Sequence, residues 1–328
     1  MSPEDAPRRY DLSCRVDPYR DGWTLANFLA HRFRYHPPEQ WRERLAAGVV
    51  RVNDTVAGAE TTVRKGDVVR YTIWHAEPAV DFRYEILLDD PAVLAVAKSG
   101  NLPVHAGGKF LSHTLIARLR EDLAEPELRL VHRLDRETSG VVLLARTTEA
   151  ARALEVQFRE RTVEKEYVAV VRGLLERELA VDGPIARREP AEPPYFRVVA
   201  AGGKPARTTF VPRETGDVSS GPVTRVEVRP DGGRTNQIRV HAAHVGHPLL
   251  GDKIYGVEPA LARRFVAEGE FPDLLAAAGA PRHLLHCRSL SFAHPTTGAW
   301  LRCEAPEPAD LLAPFGPPGP AIGRGAAA

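Results

Sequence analysis

The stretch Leu130-Val-His-Arg-Leu-Asp-Arg-Glu-Thr-Ser-Gly-Val-Val-Leu-Leu-Ala-Arg146 joins a charged segment to an apolar one. Val141 to Ala145 is rich in β-branched residues and too short for a helix, so it predicts a buried strand. The polar residues before it predict a loop, and loops held by a rigid scaffold often carry reacting groups. Two interpretations stay open at this point. Asp135 either pairs with a neighbouring arginine in a turn or belongs to a functional site.

The composition is that of a globular protein long enough for two domains. The 328 residues are 43% hydrophobic and 27% charged, with a net charge of +1, which excludes a uniformly basic coat for nucleic acid but not a local basic patch. No apolar run could span a membrane, and no signal-peptide core precedes the first domain. The three cysteines have neither disulfide nor metal spacing. We therefore expect a cytoplasmic protein without a membrane anchor.

Residues 1–78 predict a small α/β domain. After an irregular segment (1–20), the pattern indicates a helix capped by Thr24, a second helix from Pro38, and short strands that end with residues 68–73. Five arginines and two glutamates lie between residues 31 and 51, so one face is locally basic. That face either binds RNA or is an ordinary solvated surface.

Residues 79–312 predict one larger domain. Many strands with few helices between them favour an α+β fold on a mixed, mostly antiparallel sheet. Helices are expected near 148–161 and 236–245, and residues 259–278 look like a helical insertion. The tail, 313–328, is rich in proline, glycine and alanine and is expected to be disordered.

One pattern resembles a metal site. His241, His244 and His247 recur every third residue, and a helix would place the first two on one face, within reach of one ion. Gly246 and Pro248 would break that helix at the third histidine. A metal-dependent hydrolase is therefore one alternative, and structural histidines are the other.

A nucleophilic aspartate is a different possibility. An aspartate carboxylate can attack carbon covalently when a cation holds it ionised and oriented, and Arg133 and Arg136 are candidate cations beside Asp135. Glycoside hydrolysis would need a second acid across the sugar. Glu137, two residues along the chain, is poorly placed for that role.

Several segments in a fixed order resemble the RluA-type pseudouridine synthases. They are His132-Arg-Leu-Asp-Arg-Glu-Thr-Ser-Gly140, Glu164-Lys-Glu-Tyr-Val-Ala-Val-Val171, Gly233-Arg-Thr-Asn-Gln-Ile-Arg-Val-His241 and His247-Pro-Leu-Leu-Gly-Asp252, and residues 286–298 fit the same family. The basic unit within residues 1–78 resembles the small RNA-binding domain first described in a ribosomal protein. This resemblance implies a pseudouridine synthase fold for residues 79–312.

The resemblance also implies a chemistry without a cofactor or a metal. Asp135 corresponds to the family's catalytic aspartate, which attacks the anomeric carbon of the sugar or the uracil ring, the first being favoured. Tyr167 corresponds to the tyrosine that stacks on the base or removes the proton at carbon 5, and Arg239 to the residue that pairs with the aspartate. Arg133 corresponds to the arginine that replaces the extruded nucleotide.

Three more positions, His132, Arg234 and Gln237, are expected to bind substrate. Asn236 stands where many relatives carry a histidine. The expected partner is RNA, with ribosomal RNA favoured over transfer RNA, and the expected state is a monomer. The rival from another class is a catalytically silent RNA-binding protein of the same fold. Asp135, Tyr167 and Arg239 occurring together favour the enzyme.

Overall fold

The structure, a computed structural model, describes residues 7–33, 36–188 and 196–315. The chain divides into one unit of Met1–Val80 with His105–Thr114 and a second of Asp81–Val104 with Leu115–Ala328. The predicted disordered tail lies outside the described residues from position 316 onward. Within the described ranges, no helix is both long and apolar enough to cross a membrane.

The N-terminal unit has two helices and a four-stranded antiparallel sheet in the order β1-β4-β2-β3. Its elements are β1 (Arg8–Arg15), α1 (Leu25–Arg32), α2 (Pro38–Ala46), β2 (Val50–Val52), β3 (Thr55–Val56) and β4 (Val68–His75). Thr24 caps α1 as predicted, since its hydroxyl accepts a hydrogen bond from the Asn27 amide at 3.4 Å. Phe28 and Trp41 are fully buried in the core between the helices and the sheet.

The prediction that residues 1–20 are irregular is wrong for β1. This strand pairs with β4 along its whole length, from Arg8 opposite His75 to Arg15 opposite Val68. Tyr10, Leu12 and Cys14 alternate with polar residues and pack, partly buried, against the core of this unit. The sequence therefore carries a short period-2 pattern, but the partner strand lies more than fifty residues away.

The second unit, Asp81–Val104 with Leu115–Ala328, contains the remaining described strands and helices. Its strands are β5 (Tyr84–Asp89), β6 (Val93–Lys98), β7 (Arg129–Leu130), β8 (Ser139–Ala145), β9 (Glu164–Arg172), β10 (Leu179–Asp182), β11 (Ile185–Arg187), β12 (Arg197–Val199), β13 (Arg207–Val218), β14 (Gly221–Asp231), β15 (Leu285–Ala293) and β16 (Trp300–Glu304). Its helices are α3 (Leu115–Asp122), α4 (Thr148–Glu160), α5 (Gln237–His244), α6 (Pro259–Glu268), α7 (Pro272–Ala278) and α8 (Ala309–Leu312).

Ten of these strands form one sheet in the order β10-β13-β14-β9-β15-β8-β6-β5, with β16 beside β15 and β7 beside β8. Only the β8–β15 pair is parallel among the described strands. The sheet is therefore mixed and mostly antiparallel, which confirms the predicted α+β class. β13 and β14 are the longest strands of this sheet and pair with each other along nearly their full length.

Residues 105–114 fall in sequence within the predicted catalytic domain but pack with the N-terminal unit. The Glu77 carboxylate accepts hydrogen bonds from the amides of Leu111, Ser112 and His113, at 2.5, 2.8 and 3.0 Å. Burial disfavours the charged carboxylate, but its hydrogen bonds outweigh burial and lower the pKa of Glu77 to about 2. The chain thus leaves the N-terminal unit, returns to it, and leaves again.

β8, the strand of the opening stretch, lies between β6 and β15 and is buried at every position. Gly140 has φ +107°, and a Cβ built there would lie 2.1 Å from the carbonyl oxygen of Cys287 on β15. Only glycine permits this close approach of two strands. The loop that carries Asp135 ends where β8 begins.

We expect Gly140→Ala to lower the free energy of unfolding of the second unit by about 2 kcal/mol or more, because the new methyl group collides with β15. Denaturant unfolding measures the loss. Gly298→Ala is the matched control, since Gly298 also has a positive φ but has no atom within 4 Å of the added Cβ. Equal losses in the two variants would contradict the proposed collision.

Candidate active site

All seven predicted site residues line one cavity of about 470 Å³. Its walls are the loop before β8, the end of α4, the start of β9, and the turn between β14 and α5. The residues come from three distant parts of the chain: His132, Arg133 and Asp135; Tyr167; and Arg234, Gln237 and Arg239. The fold therefore brings together the residues that the family resemblance selects.

Asp135 and Arg239 form an ion pair at the floor of the cavity. Arg239 Nη1 donates to Asp135 Oδ2 at 3.0 Å, and the side chains are 8% and 30% exposed, respectively. Within the described part of the chain, the second carboxylate oxygen, Oδ1, accepts no hydrogen bond. One oxygen is thus fixed by a cation, and the other is available to a bound molecule.

Arg239 is itself fixed by Asp252, which is fully buried. The guanidinium donates from Nε at 2.7 Å and from Nη2 at 2.8 Å to the two oxygens of this carboxylate. Burial lowers the pKa of Arg239, but the charges of Asp252 and Asp135 outweigh it and hold that pKa well above its usual range. Arg239 therefore stays charged. Asp252 lies in one of the segments that match the family, yet its place in the sequence indicates no role for it.

Asn236 begins α5 with a left-handed backbone, φ +56°. Asparagine tolerates this conformation better than most residues. Its side-chain amide donates to the Tyr255 hydroxyl at 3.1 Å, and the Cζ atom of Arg239 lies 5.2 Å from the centre of the Tyr255 ring. Asn236 thus supports Arg239 in two ways, through the Tyr255 ring and by accepting a hydrogen bond from Arg239 Nη1 at 3.4 Å.

Tyr167 extends from β9 into the cavity wall opposite Cys287 of β15. Burial, the nearby Cys287 thiol and the charge of Asp135 all raise the pKa of Tyr167 well above its usual value. The phenol is therefore neutral near neutral pH. This favours stacking on a base over a role as phenolate.

His132 holds the loop that carries Asp135 to the sheet. Its Nε2 accepts a hydrogen bond from the Leu143 amide of β8 at 2.8 Å, and its ring stacks on Phe158 with centres 4.7 Å apart. Burial and the charge of Lys165 lower the pKa of His132 to about 3, so the ring is neutral. Its predicted contact with substrate stays a prediction.

Gln237 is buried and closes the turn between β14 and α5. Its Nε2 donates to the carbonyls of Arg207 and Asp231 at 2.9 and 3.3 Å, and its Oε1 accepts from the Arg234 amide at 3.0 Å. These contacts support a positioning role. The side chain of Arg133, in contrast, is exposed at the cavity, and that of Arg234 is partly buried there.

A second buried ion pair, between Glu137 and Lys253, fixes the loop that carries Asp135. Glu137 accepts from Lys253 Nζ at 2.7 Å and from the His283 amide at 3.1 Å, while Thr138 Oγ1 and His283 Nε2 are 2.8 Å apart. Burial disfavours the charged carboxylate, but His283 and Lys253 outweigh it and hold the pKa of Glu137 well below its usual range. No local sequence pattern indicates this pair, since Lys253 lies more than a hundred residues from Glu137.

Lys98 holds the same loop from another side. Its buried Nζ donates to the carbonyls of Ser99 and Arg136 at 2.9 and 3.1 Å. Burial, together with the charge of Arg282, lowers the pKa of Lys98 to about 7. Main-chain and side-chain contacts thus fix the loop on both sides of Asp135.

Two histidines of the run, His241 and His247, make structural contacts. His241 is fully buried, with Nε2 2.9 Å from the Gly183 carbonyl and Nδ1 2.8 Å from Thr208 Oγ1, and Nδ1 of His247 is 2.9 Å from the Arg172 carbonyl. Across the ranges that the structure describes, no group of three or more histidine, cysteine or acidic residues could hold a metal ion. The contacts of His241 favour the structural interpretation over the hydrolase.

Comparisons with known sequences agree with this site. Residues 92–244, which include Asp135, Tyr167 and Arg239, match the family model described as RNA pseudouridylate synthase. The chain is 34% identical over 299 residues to a ribosomal large subunit pseudouridine synthase C of Yersinia pestis, covering 87% of this chain and 88% of that protein. It is 38% identical over 269 residues to a ribosomal large subunit pseudouridine synthase D of Xanthomonas campestris, covering 80% and 76%.

A solved structure shows the same fold. Human RNA pseudouridylate synthase domain containing 1 superposes with a TM-score of 0.57 at 28% identity, over 71% of this chain and 86% of that one. Sequence identity over most of the length of both chains, the matching family model and this superposition agree. The chain therefore belongs to the RluA-type family of RNA pseudouridine synthases.

Proposed function

We propose that this enzyme converts uridine to pseudouridine in ribosomal RNA, with Asp135 as the nucleophile. The observation that carries the proposal is the Asp135 carboxylate in the cavity, bound through one oxygen by an arginine that a buried carboxylate fixes in turn. The names of the bacterial relatives, ribosomal large subunit pseudouridine synthases, support ribosomal RNA over transfer RNA. We further propose that the enzyme acts in the cytoplasm as a monomer.

In the proposed reaction, Asp135 Oδ1 attacks the anomeric carbon of the target nucleotide. The bond from that carbon to N1 breaks, and its electron pair leaves with the uracil. The uracil turns within the cavity, its carbon 5 bonds to the anomeric carbon, and the carboxylate is released. Carbon 5 then loses its proton and N1 gains one, so that product and substrate are isomers. The base supplies both the leaving group and the new nucleophile, so no cofactor is required.

The roles of the two other predicted catalytic residues follow from their surroundings. Arg239 orients the Asp135 carboxylate toward the target carbon through their 3.0 Å ion pair. Tyr167 stacks on the uracil as a neutral phenol while the base turns. A proton-abstracting role would require the phenol to lose its own proton first, which its raised pKa opposes.

Arg133 is placed to help the target nucleotide leave the RNA stack. An enzyme that acts on a base inside paired RNA must extrude the nucleotide, at a cost of a few kcal/mol. The exposed Arg133 side chain lies two residues before the nucleophile and lines the same cavity. We propose that its guanidinium occupies the space the base vacates.

Replacing the nucleophile tests the reaction. We expect Asp135→Asn to lower single-turnover conversion of uridine in transcribed ribosomal RNA by about 10⁴-fold or more. Asp122→Asn is the control, because Asp122 pairs with Arg118 outside the cavity. Product formed by Asp135→Asn at the normal rate would contradict the nucleophilic role, and product in transfer RNA alone would contradict the substrate.

The arginine that holds the nucleophile can be tested without removing its charge. Arg239→Lys keeps a cation but lacks the planar donors that bind Asp252 and Asp135 together. We expect the rate at saturating RNA to fall about 10²-fold, since misplacing a reacting group by about 1 Å has that effect. Arg264→Lys, at the exposed ion pair with Glu268, is the control. An unchanged rate would contradict the positioning role.

The N-terminal unit is proposed to add RNA affinity. Deleting residues 1–78 would also remove Glu77, which holds residues 105–114, so charge substitution is the cleaner test. We expect Arg42→Gln with Arg51→Gln to weaken RNA binding about fivefold at roughly 0.1 M salt and to reduce the slope of log affinity against log salt by about 1 to 2. Arg9→Gln is the control, because Asp11 already compensates Arg9. Unchanged affinity and slope would assign the basic face to ordinary solvation.

A further inference from the structure

A second cavity, of about 500 Å³, adjoins the catalytic one and is strongly cationic. Among the described residues that line it, four are basic and none is acidic, the basic ones being Arg187, Arg197, Lys204 and Arg234. The other lining residues are small or apolar, and three of them are glycines. A cavity with this lining favours an anion.

The two cavities share part of their walls. Gly233 and Arg234 line both of them. The amide of Arg197, at the start of β12, donates to the Tyr255 hydroxyl at 3.0 Å, and the Tyr255 ring lies against the Arg239 guanidinium. One side chain thus joins the wall of the cationic cavity to the residue that holds the nucleophile. An anion bound in the second cavity would be a close neighbour of the reacting nucleotide.

The backbone builds the shape of the cationic cavity. Ile185 of β11 and Lys204 exchange two main-chain hydrogen bonds of 2.9 Å. A Cβ on Gly203 would lie 2.6 Å from the carbonyl carbon of Ile185, so a side chain at this position would force the two segments apart. Lys204 is therefore held at a fixed place on the cavity wall by paired backbone.

We propose that this cavity binds a backbone phosphate of the RNA beside the target uridine. The proposal rests on the proposed function, since it presumes an RNA whose target nucleotide occupies the neighbouring cavity. A phosphodiester matches the lining because guanidinium groups bind its oxygens through paired charge-assisted hydrogen bonds, and lysine adds a point charge. Holding the phosphate there keeps the backbone in place while the uracil is detached and turns.

Arg197→Gln and Lys204→Gln, separately and combined, test the site in the full-length enzyme. RNA affinity is measured by fluorescence anisotropy at several salt concentrations, and the single-turnover rate at saturating enzyme. Arg152→Gln is the control, because Arg152 is exposed on α4 and lines neither cavity. We expect the double variant to lose about tenfold in affinity, with a salt slope smaller by about 1 to 2, and to lose less in saturating rate than in affinity.

Unchanged affinity and salt slope in the double variant would overturn the proposal, and so would a loss confined to the saturating rate. Titration with inorganic phosphate at constant ionic strength separates the two sources of phosphate. One outcome is that the double variant keeps full RNA affinity and yet loses a saturable change in anisotropy that inorganic phosphate causes in the unmodified enzyme. In that case the cavity binds free phosphate and the proposal is wrong. The affinity measurement does not depend on turnover, so an active Asp135→Asn enzyme would refute the nucleophile without deciding this site.

Discussion

The site depends on the ion pair between Arg239 and the buried Asp252. A fully buried carboxylate is tolerated only when a cation lies close to it and is well aligned with it. Asp252 meets this condition by accepting hydrogen bonds from Nε and Nη2 of Arg239, which fixes the position of both nitrogens. The planar geometry of the guanidinium then sets the direction of the remaining nitrogen, which meets Asp135 at 3.0 Å. Asp252 thus orients Arg239, and Arg239 orients Asp135, the proposed nucleophile, which is the most exposed of the three.

The loop around Asp135 is fixed by polar contacts on its hidden side as well. His132 accepts from a β8 amide, Glu137 pairs with the buried Lys253, and Lys98 donates to the Arg136 carbonyl. These contacts hold the loop of Asp135 in place, as the electrostatic preorganisation of the proposed reaction requires. The insertion of α6 and α7 takes part, since Lys253 also binds Glu270 between these helices.

The histidine run shows why spacing alone did not decide the chemistry. Three histidines three residues apart predict either ligands or structural residues, and the sequence left both open. The partners of His241 are Gly183 and Thr208, which lie far from it in sequence and reach it only through the sheet. Asp252, which follows the run, proved to be the anchor of Arg239.

The sequence by itself determined the local elements and the residues of the site. Helices such as α1 and α4 depend on caps and contacts within a few residues, so their pattern predicted them, and the segment order indicated the family and hence Asp135, Tyr167 and Arg239. The tertiary structure alone decided the pairing of β1 with β4, the packing of residues 105–114, and the anchoring ion pairs at Asp252 and Glu137. Strand pairing and buried charge pairs join residues far apart in the chain, and no local pattern records which distant partner each will meet.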